Sequence, residues 1–225
     1  ISAQLIGVAD GYHVWSERYD RELRDVFEIQ DEITDNIVGA LKLVFTKKER
    51  TAGDLPQTSV VEAYEYYLRG RRLFHQSKQN QEEAIAMFRR AIELDPNYAL
   101  AFCGLADCHA WRYLYHQAED VVLAEAERAS RRAIELQPEL AEAHASLGMA
   151  VSLRKEFDEA EREFLRAIEL NPRLFEAHYF YARMCFSRGA FALAAREFEE
   201  ASRVRPEDFQ SLFILSDVRR TLKEE

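Results

Sequence analysis

The cysteine and histidine side chains that could bind a metal are spaced for packing. Cys103, Cys108 and His109 form a Cys-x4-Cys-His run. Five residues along a helix rotate a side chain by about 140°, so the two thiols diverge. A zinc site would need a second ligand pair at a matched spacing, and the sequence has none. We therefore expect buried packing residues here, and the odd cysteine count, with Cys185 as the third, is typical of a reducing compartment.

Signatures of catalysis are missing from the sequence. It contains no glycine-rich phosphate loop, no His-Glu-x-x-His run and no nucleophile elbow. The many carboxylates fall on the polar faces of predicted helices, as solvated charges do. We predict no catalytic residue, no metal and no cofactor, and hence that the chain is not an enzyme.

Composition excludes several classes of partner. The formal charge of -10 argues against nucleic acid, since binding phosphates needs a basic face. The apolar stretches are too short to cross a membrane. The chain starts at Ile1 without a Met, which suggests a fragment of a longer protein. A cytoplasmic location is the expectation.

A repeated pattern organises most of the chain. Four segments end in a proline at Pro96, Pro138, Pro172 and Pro206, spaced 42, 34 and 34 residues apart. Three of them carry Ala-x3-Phe-x2-Ala before the proline. The alanine and the phenylalanine lie one turn apart on the same face, so the small residue allows a close helix crossing and the ring fills the space beside it. Proline then ends the helix.

This 34-residue pattern resembles the tetratricopeptide-repeat (TPR) family. The resemblance implies pairs of antiparallel helices, A and B, stacked into an α-α solenoid or superhelix, with a mostly α fold. Gly70 and Gly148 match the family's Leu-Gly step on helix A, while Ala106 and Ala182 replace it. His144 and His178 stand where the family has Trp, which implies packing roles.

Two irregularities interrupt the repeats. The first repeat has two extra residues between Gly70 and Ala84. The second is eight residues longer than the period, and Ser130 replaces the helix-B Phe. We place its excess around residues 111–120, as an extended helix A and a longer loop, which is either part of a binding face or a neutral extension. Residues 207–225 read as one more helix A, either a cap or the start of a further repeat.

The first fifty residues follow a different period. Strands at Ser2–Ala9 and Tyr12–Tyr19 are predicted around Asp10-Gly11, with Ile6 opposite Trp15. A helix follows from about Asp25 to Leu41, with an apolar stripe at helical spacing. We divide the chain into the C-terminal part of an α/β domain (1–50), a linker (51–62), four repeats (63–206) and a last helix (207–225).

This N-terminal segment resembles one found before TPR arrays in bacterial regulators. The matching residues run from Ala3-Gln-Leu-Ile through Gly11-Tyr-His-Val-Trp15 to Gln30-Asp-Glu-Ile33. In those regulators the segment ends an α/β domain similar to the amino-terminal domain of the TolB translocation protein, and a cyclase, kinase or winged-helix domain often lies upstream. The resemblance implies a hairpin-plus-helix remnant of that domain. Its open strand edge predicts a homodimer formed through this segment.

The resemblance also implies a concave surface lined by the A helices. Aromatic rings interleaved with arginines suit a peptide-binding surface, although the alternative of ordinary half-exposed solenoid residues stays open. The Lys/Asn/Arg clamp of chaperone-binding relatives does not recur. The predicted inward residues are Tyr64, Tyr67, Arg71, His75, Cys103, Asp107, Trp111, Ala145, Met149, Ser152, Tyr179 and Arg183.

The leading functional expectation is a protein-interaction scaffold that acts as the regulatory C-terminal part of a bacterial signalling protein. It would bind a protein or peptide partner in the concave groove. The alternative is a homodimerisation module with no separate groove ligand.

Overall fold

The computed structural model describes residues 2–6, 13–18, 58–76, 81–115 and 119–224. Contacts divide the chain into two units, Ile1–Pro56 and Gln57–Glu225. No helix in the described ranges is long and apolar enough to cross a membrane.

The first unit contains an antiparallel strand pair, β1 (Ser2–Ile6) and β2 (His13–Arg18). The pairing sets Leu5 opposite Trp15 and Ile6 opposite His13, with an irregularity between Leu5 and Ile6. The predicted register, with Ile6 opposite Trp15, is therefore wrong, because a shift at this point moves each later pair along the strand. The helix predicted from Asp25 to Leu41 lies outside the described residues.

The second unit is helical throughout its described part. Its helices, in chain order, are α1 (Val61–Gln76), α2 (Gln81–Leu94), α3 (Ala99–Tyr115), α4 (Asp120–Leu136), α5 (Ala141–Leu153), α6 (Phe157–Leu170), α7 (Phe175–Ser187), α8 (Phe191–Val204) and α9 (Phe209–Glu224). Consecutive helices pack in pairs, α1 with α2 through α7 with α8, and α9 packs on α8. The first helix of each pair, and α9, is called an A helix below, and the second a B helix. Neighbouring A helices also touch each other, so the pairs stack into a solenoid.

The alanine and phenylalanine pattern forms the core, as predicted. Phe88, Phe164 and Phe198 are buried, as are the alanines before and after them on each B helix. A Cβ added at Gly148 would lie 2.9 Å from the Phe164 ring, which explains why a glycine suits the crossing there. Ser130, which replaces the phenylalanine in α4, is buried and donates its hydroxyl to the carbonyl of Ala126.

Short turns with repeated chemistry join the helices. Between B and A helices, Asp95 and Asn171 each accept a hydrogen bond from a backbone N–H two residues later, at 3.0 Å. Between A and B helices, Lys155 and Gly189, which are 34 residues apart, adopt positive φ angles of 66° and 75°. A left-handed residue at this position ends helix A and turns the chain back.

The extra residues of the second repeat lengthen both of its helices. Helix α3 has 17 residues against 13 in α5, and α4 has 17 against 14 in α6. The predicted extension of helix A is confirmed, but the connection gains only one residue, since α4 starts at Asp120. The extended end of α3 carries Tyr115 beyond the length of the other A helices.

Candidate binding groove on the A helices

The A helices line a groove of about 500 Å³. Contributions come from every A helix, together with two residues of α2 and the turn after α8. Aromatic rings make up much of its wall, with charged side chains between them. The aromatic residues that line the groove are Tyr67, Phe74, Phe88, Trp111, Phe175, Tyr179, Phe180 and Phe209.

Two Tyr-Arg pairs have the same geometry at the two ends of the helix stack. Tyr67 and Arg71 are one turn apart on α1, and Tyr179 and Arg183 are one turn apart on α7. Each guanidinium lies over its tyrosine ring, 5.9 Å and 5.8 Å from the ring centre. The tyrosines are only 6% and 4% exposed, so they form the floor of the groove. Burial raises the pKa of Tyr67 to about 12, although Arg71 opposes the shift.

The extended end of α3 contacts both helices that carry these Tyr-Arg pairs, α1 and α7. Trp111 stacks on Tyr115 with ring centres 4.9 Å apart, and Phe74 of α1 meets Trp111 edge to face at 6.0 Å. On the other side, Arg183 donates a hydrogen bond to the hydroxyl of Tyr115 at 3.2 Å. The insertion thus adds side chains beside the groove, in line with the binding-face interpretation of these extra residues.

Charged groups of the groove come from four helices and from the turn after α8. Asp107 on α3 accepts a hydrogen bond from the Ser146 hydroxyl at 2.7 Å. Burial raises the pKa of Asp107 to about 7, an effect that Glu176 and Glu142 strengthen and that Ser146 and Arg71 oppose. Burial likewise raises the pKa of Glu142 on α5.

Arginine and acidic side chains complete the far end of the groove. Arg205, in the turn after α8, pairs with Glu176 at 3.1 Å and lies over the Phe175 ring, 3.9 Å from its centre. Asp208 accepts hydrogen bonds from the backbone N–H and the hydroxyl of Ser211, at 2.7 Å and 2.6 Å, and so caps α9.

Five residues of the predicted site line this groove: Tyr67, Arg71, Asp107, Trp111 and Tyr179. Cys103 and Ala145 line it too. That these residues bind a ligand stays a prediction. Arg183 lies beside the groove on Tyr115 rather than among the lining residues, and the side chain of His75 is outside the described part of the structure.

Other predicted residues lie elsewhere. Tyr64 stacks on Tyr67 at 6.4 Å and packs against the core beneath α1. Met149 is 2% exposed and belongs to the central core. Ser152 donates its hydroxyl to the carbonyl of Met149. The sequence predicted that Met149 and Ser152 face the groove. Helix α5 instead presents Glu142, Ala145 and Ser146, about one turn earlier.

Two histidines have a different role from the packing expected. His144 places its ring nitrogens 2.6 Å from a Glu163 carboxylate oxygen and 2.9 Å from the Pro138 carbonyl oxygen. His178 repeats the arrangement with Glu197 and Pro172, at 2.8 Å and 3.0 Å. Each histidine therefore ties an A helix to its B helix and to the preceding turn. In the sequence, the histidine, the glutamate and the proline each recur after 34 residues, and this recurrence could have predicted the contact.

The three cysteines are buried packing residues, as expected. Cys103 packs with Ala133 and Leu140, whereas Cys108 packs with Phe88 and Tyr98, so the two thiols lie in different clusters. Burial raises the pKa of both thiols, which keeps them protonated and unreactive. No group of three or more metal-ligating side chains occurs in the described ranges.

Comparisons with protein families identify the repeats. A TPR repeat model matches residues 75–110, and a tetratricopeptide repeat model matches residues 150–208. Among solved structures, the chain is similar to pilF of Pseudomonas aeruginosa, with a TM-score of 0.56, 20% identity, and coverage of 73% of this chain and 70% of that one. It is also similar to a thermophilic TPR protein of Thermus thermophilus, with a TM-score of 0.50, 16% identity, and coverage of 69% and 98%. The chain therefore contains tetratricopeptide repeats and has the TPR solenoid fold.

One curated relative matches over a long stretch. Putative adenylate cyclase 3 of Rhizobium meliloti (strain 1021) is 32% identical over 162 residues, which is 71% of this chain and 28% of that protein. The chain thus spans about a quarter of that relative's length. The TolB-like identity of the N-terminal segment receives no support from these matches.

Proposed function

We propose that this chain is a non-catalytic binding module that holds a peptide or protein segment in the groove of its A helices. The observation that carries the proposal is the groove itself, a concave surface of about 500 Å³ with aromatic rings and a few charged groups along its length. Rings that are already ordered by packing lose little conformational entropy when they bind, and interface hot spots are enriched in such residues.

We further propose that the module is the regulatory C-terminal part of a bacterial signalling protein. The match to a putative adenylate cyclase supports this role, since that protein is bacterial and extends well beyond the matched stretch. The repeats would then pass a binding event to an output domain elsewhere in the same protein.

Self-association is the second candidate function. Three apolar side chains of α9 are open to solvent: Phe209 at 74%, Phe213 at 68% and Leu212 at 48%. Such a face favours contact with another protein surface. Dimerisation through the N-terminal segment remains a prediction, since only its strand pair is described.

Matched aromatic truncations test the groove. The immobilised chain would be incubated with lysate of the cells that produce it, as wild type and as two double variants. Trp111→Ala/Phe209→Ala removes rings that line the groove, and Phe186→Ala/Phe213→Ala removes exposed rings elsewhere. Loss of the captured proteins with the first variant alone supports groove binding. Equal capture of other proteins by all three would refute groove binding, whereas recovery of only more of this chain, abolished by the second variant, would favour self-association.

A further inference from the structure

Acidic side chains outnumber basic ones along the groove. Its lining includes four carboxylates and two guanidiniums: Asp107, Glu142, Glu176, Asp208, Arg71 and Arg205. Each carboxylate comes from a different helix or turn, so the negative charge is spread along the concave surface. A charge imbalance in a partly closed, low-dielectric groove acts strongly on the charge of whatever enters it.

Two of these carboxylates are already satisfied. Glu176 pairs with Arg205, and Asp208 caps α9 through Ser211. The other basic group, Arg71, is held by the Tyr67 hydroxyl at 3.3 Å and by the ring beneath it. These groups are therefore committed to contacts within the solenoid.

Asp107 and Glu142 are in a different situation. Within the described ranges neither carboxylate belongs to an ion pair, and the one side-chain donor to Asp107 is the Ser146 hydroxyl. Their pKa values are raised chiefly by burial, and Arg71 offsets only part of the shift. Among the described residues, the middle of the groove thus carries more negative than positive charge.

Gln81 provides an independent observation at the same groove. This residue lines the groove and is 6% exposed, and its buried amide oxygen has no hydrogen-bond partner among the described residues. A buried acceptor without a donor costs about 1–3 kcal/mol, so a ligand that donates hydrogen bonds would relieve this cost. An ammonium or guanidinium group is such a donor, and the aromatic rings that line the same groove, such as Trp111 and Phe74, also attract cations.

We propose that the groove selects a peptide segment with a Lys or Arg side chain, which lies against Asp107 and Glu142 with apolar neighbours on the aromatic wall. The inference rests on the proposed function and adds the charge of the ligand. A peptide with an acidic chain end should bind poorly, because the carboxylates of this groove would repel its negative charge.

Selection from a random peptide library tests the proposal even though the natural ligand is unidentified. Dodecapeptides displayed on phage would be panned against the wild-type chain. Selected sequences would then be made as fluorescein-labelled peptides and titrated by fluorescence anisotropy. Each is compared with a peptide whose basic residue is replaced by Gln, and the chain is tested as wild type, Glu142→Gln, Asp107→Asn and Glu83→Gln. Glu83, exposed on the first turn of α2, is the control for a lost charge outside the groove.

The proposal predicts Lys or Arg flanked by apolar residues in the selected peptides. Binding should weaken about tenfold or more when the peptide's basic residue or either groove carboxylate is neutralised, since each change unpairs a buried charge. Glu83→Gln should bind like the wild type. Circular dichroism of each variant separates loss of binding from loss of folding.

Other outcomes would distinguish the preference for a basic peptide from groove binding itself. Acidic or neutral peptides that lose binding with Trp111→Ala/Phe209→Ala would overturn the charge preference and leave groove binding intact. Failure to select any peptide, or binding that no groove variant alters, would overturn the proposed function and this inference together.

Discussion

Substitution of Glu197 by Gln should destabilise the last repeat in a pH-dependent way. Both ring nitrogens of His178 face acceptors, the Glu197 carboxylate at 2.8 Å and the Pro172 carbonyl at 3.0 Å. Only the doubly protonated ring can donate both hydrogen bonds. Burial alone would lower the pKa of His178, but these two contacts raise it above 6.5. Burial raises the pKa of Glu197, but the hydrogen bonds from His178 and Arg196 outweigh burial, so the pKa is lowered overall.

The size of the effect follows from the burial of the pair. His178 and Glu197 are each 5% exposed, so solvent screens their contact little. A hydrogen bond to a charged group contributes about 1.5–3 kcal/mol, and Gln keeps the shape of Glu while removing its charge. We expect the variant to lose about 2 kcal/mol of unfolding free energy at pH 6.

The sign of the pH dependence follows from the direction of the shifts. A raised histidine pKa contributes stability that is complete below the unfolded value of 6.5 and is lost as pH rises through the folded value. The lowered pKa of Glu197 contributes stability above its ordinary value of 4.5, which is lost in acid. The loss of unfolding free energy caused by Glu197→Gln should therefore be largest between pH 4.5 and pH 6.5 and should shrink toward pH 9.

Urea unfolding followed by circular dichroism at pH 6 and pH 9 measures this cost. Glu169→Gln is the control, because its pair with Arg166 lies on the open surface and should matter little at either pH. NMR titration of His178 gives its pKa directly. An equal cost of Glu197→Gln at both pH values, or a His178 pKa at or below 6.5, would refute the reasoning.

Five further substitutions test local features by urea unfolding. His109→Leu should stabilise the chain by about 1–3 kcal/mol, because both ring nitrogens are buried without hydrogen-bond partners; a loss of stability would contradict this. Lys155→Gly should stabilise by up to about 1 kcal/mol, since Lys155 holds a φ of 66°, whereas Gly189→Ala at the equivalent turn should destabilise. Tyr181→Phe should cost about 1 kcal/mol by removing a hydrogen bond of 2.7 Å. Tyr98→Phe should not destabilise the chain, because the buried Tyr98 hydroxyl has no hydrogen-bond partner in the described part of the structure.

The repeats were predictable because each position in the pattern has a steric reason. Phe164 and Gly148 meet in the same repeat at a distance that excludes a larger residue, so the sequence must keep both. The turn prolines and the 34-residue period determined the order of the helices. The hairpin register was less predictable, since the irregularity at Leu5 and Ile6 leaves no local mark in the sequence.

The groove was only partly predictable. On α1 and α7, aromatic residues one turn before an arginine predicted the inward face, and Tyr67, Arg71 and Tyr179 line the groove, whereas Arg183 lies beside it. Helix α5 is buried over nearly its whole length, from Ala141 to Val151, so no polar stripe distinguishes its groove side. Met149 was therefore placed in the groove on an assumed helical phase, and Glu142 was missed. Arg205 was missed because it lies in a turn, outside any helical pattern.

Photo-cross-linking from the groove tests the central claim most directly. Phe209 lines the groove and is 74% exposed, so it can be replaced by p-benzoylphenylalanine with little effect on folding. Leu165, 48% exposed on the B helix α6, provides the matched control. The account predicts that light links a partner peptide to position 209 and not to position 165. Equal products from both positions, or products that contain only two copies of this chain, would contradict it.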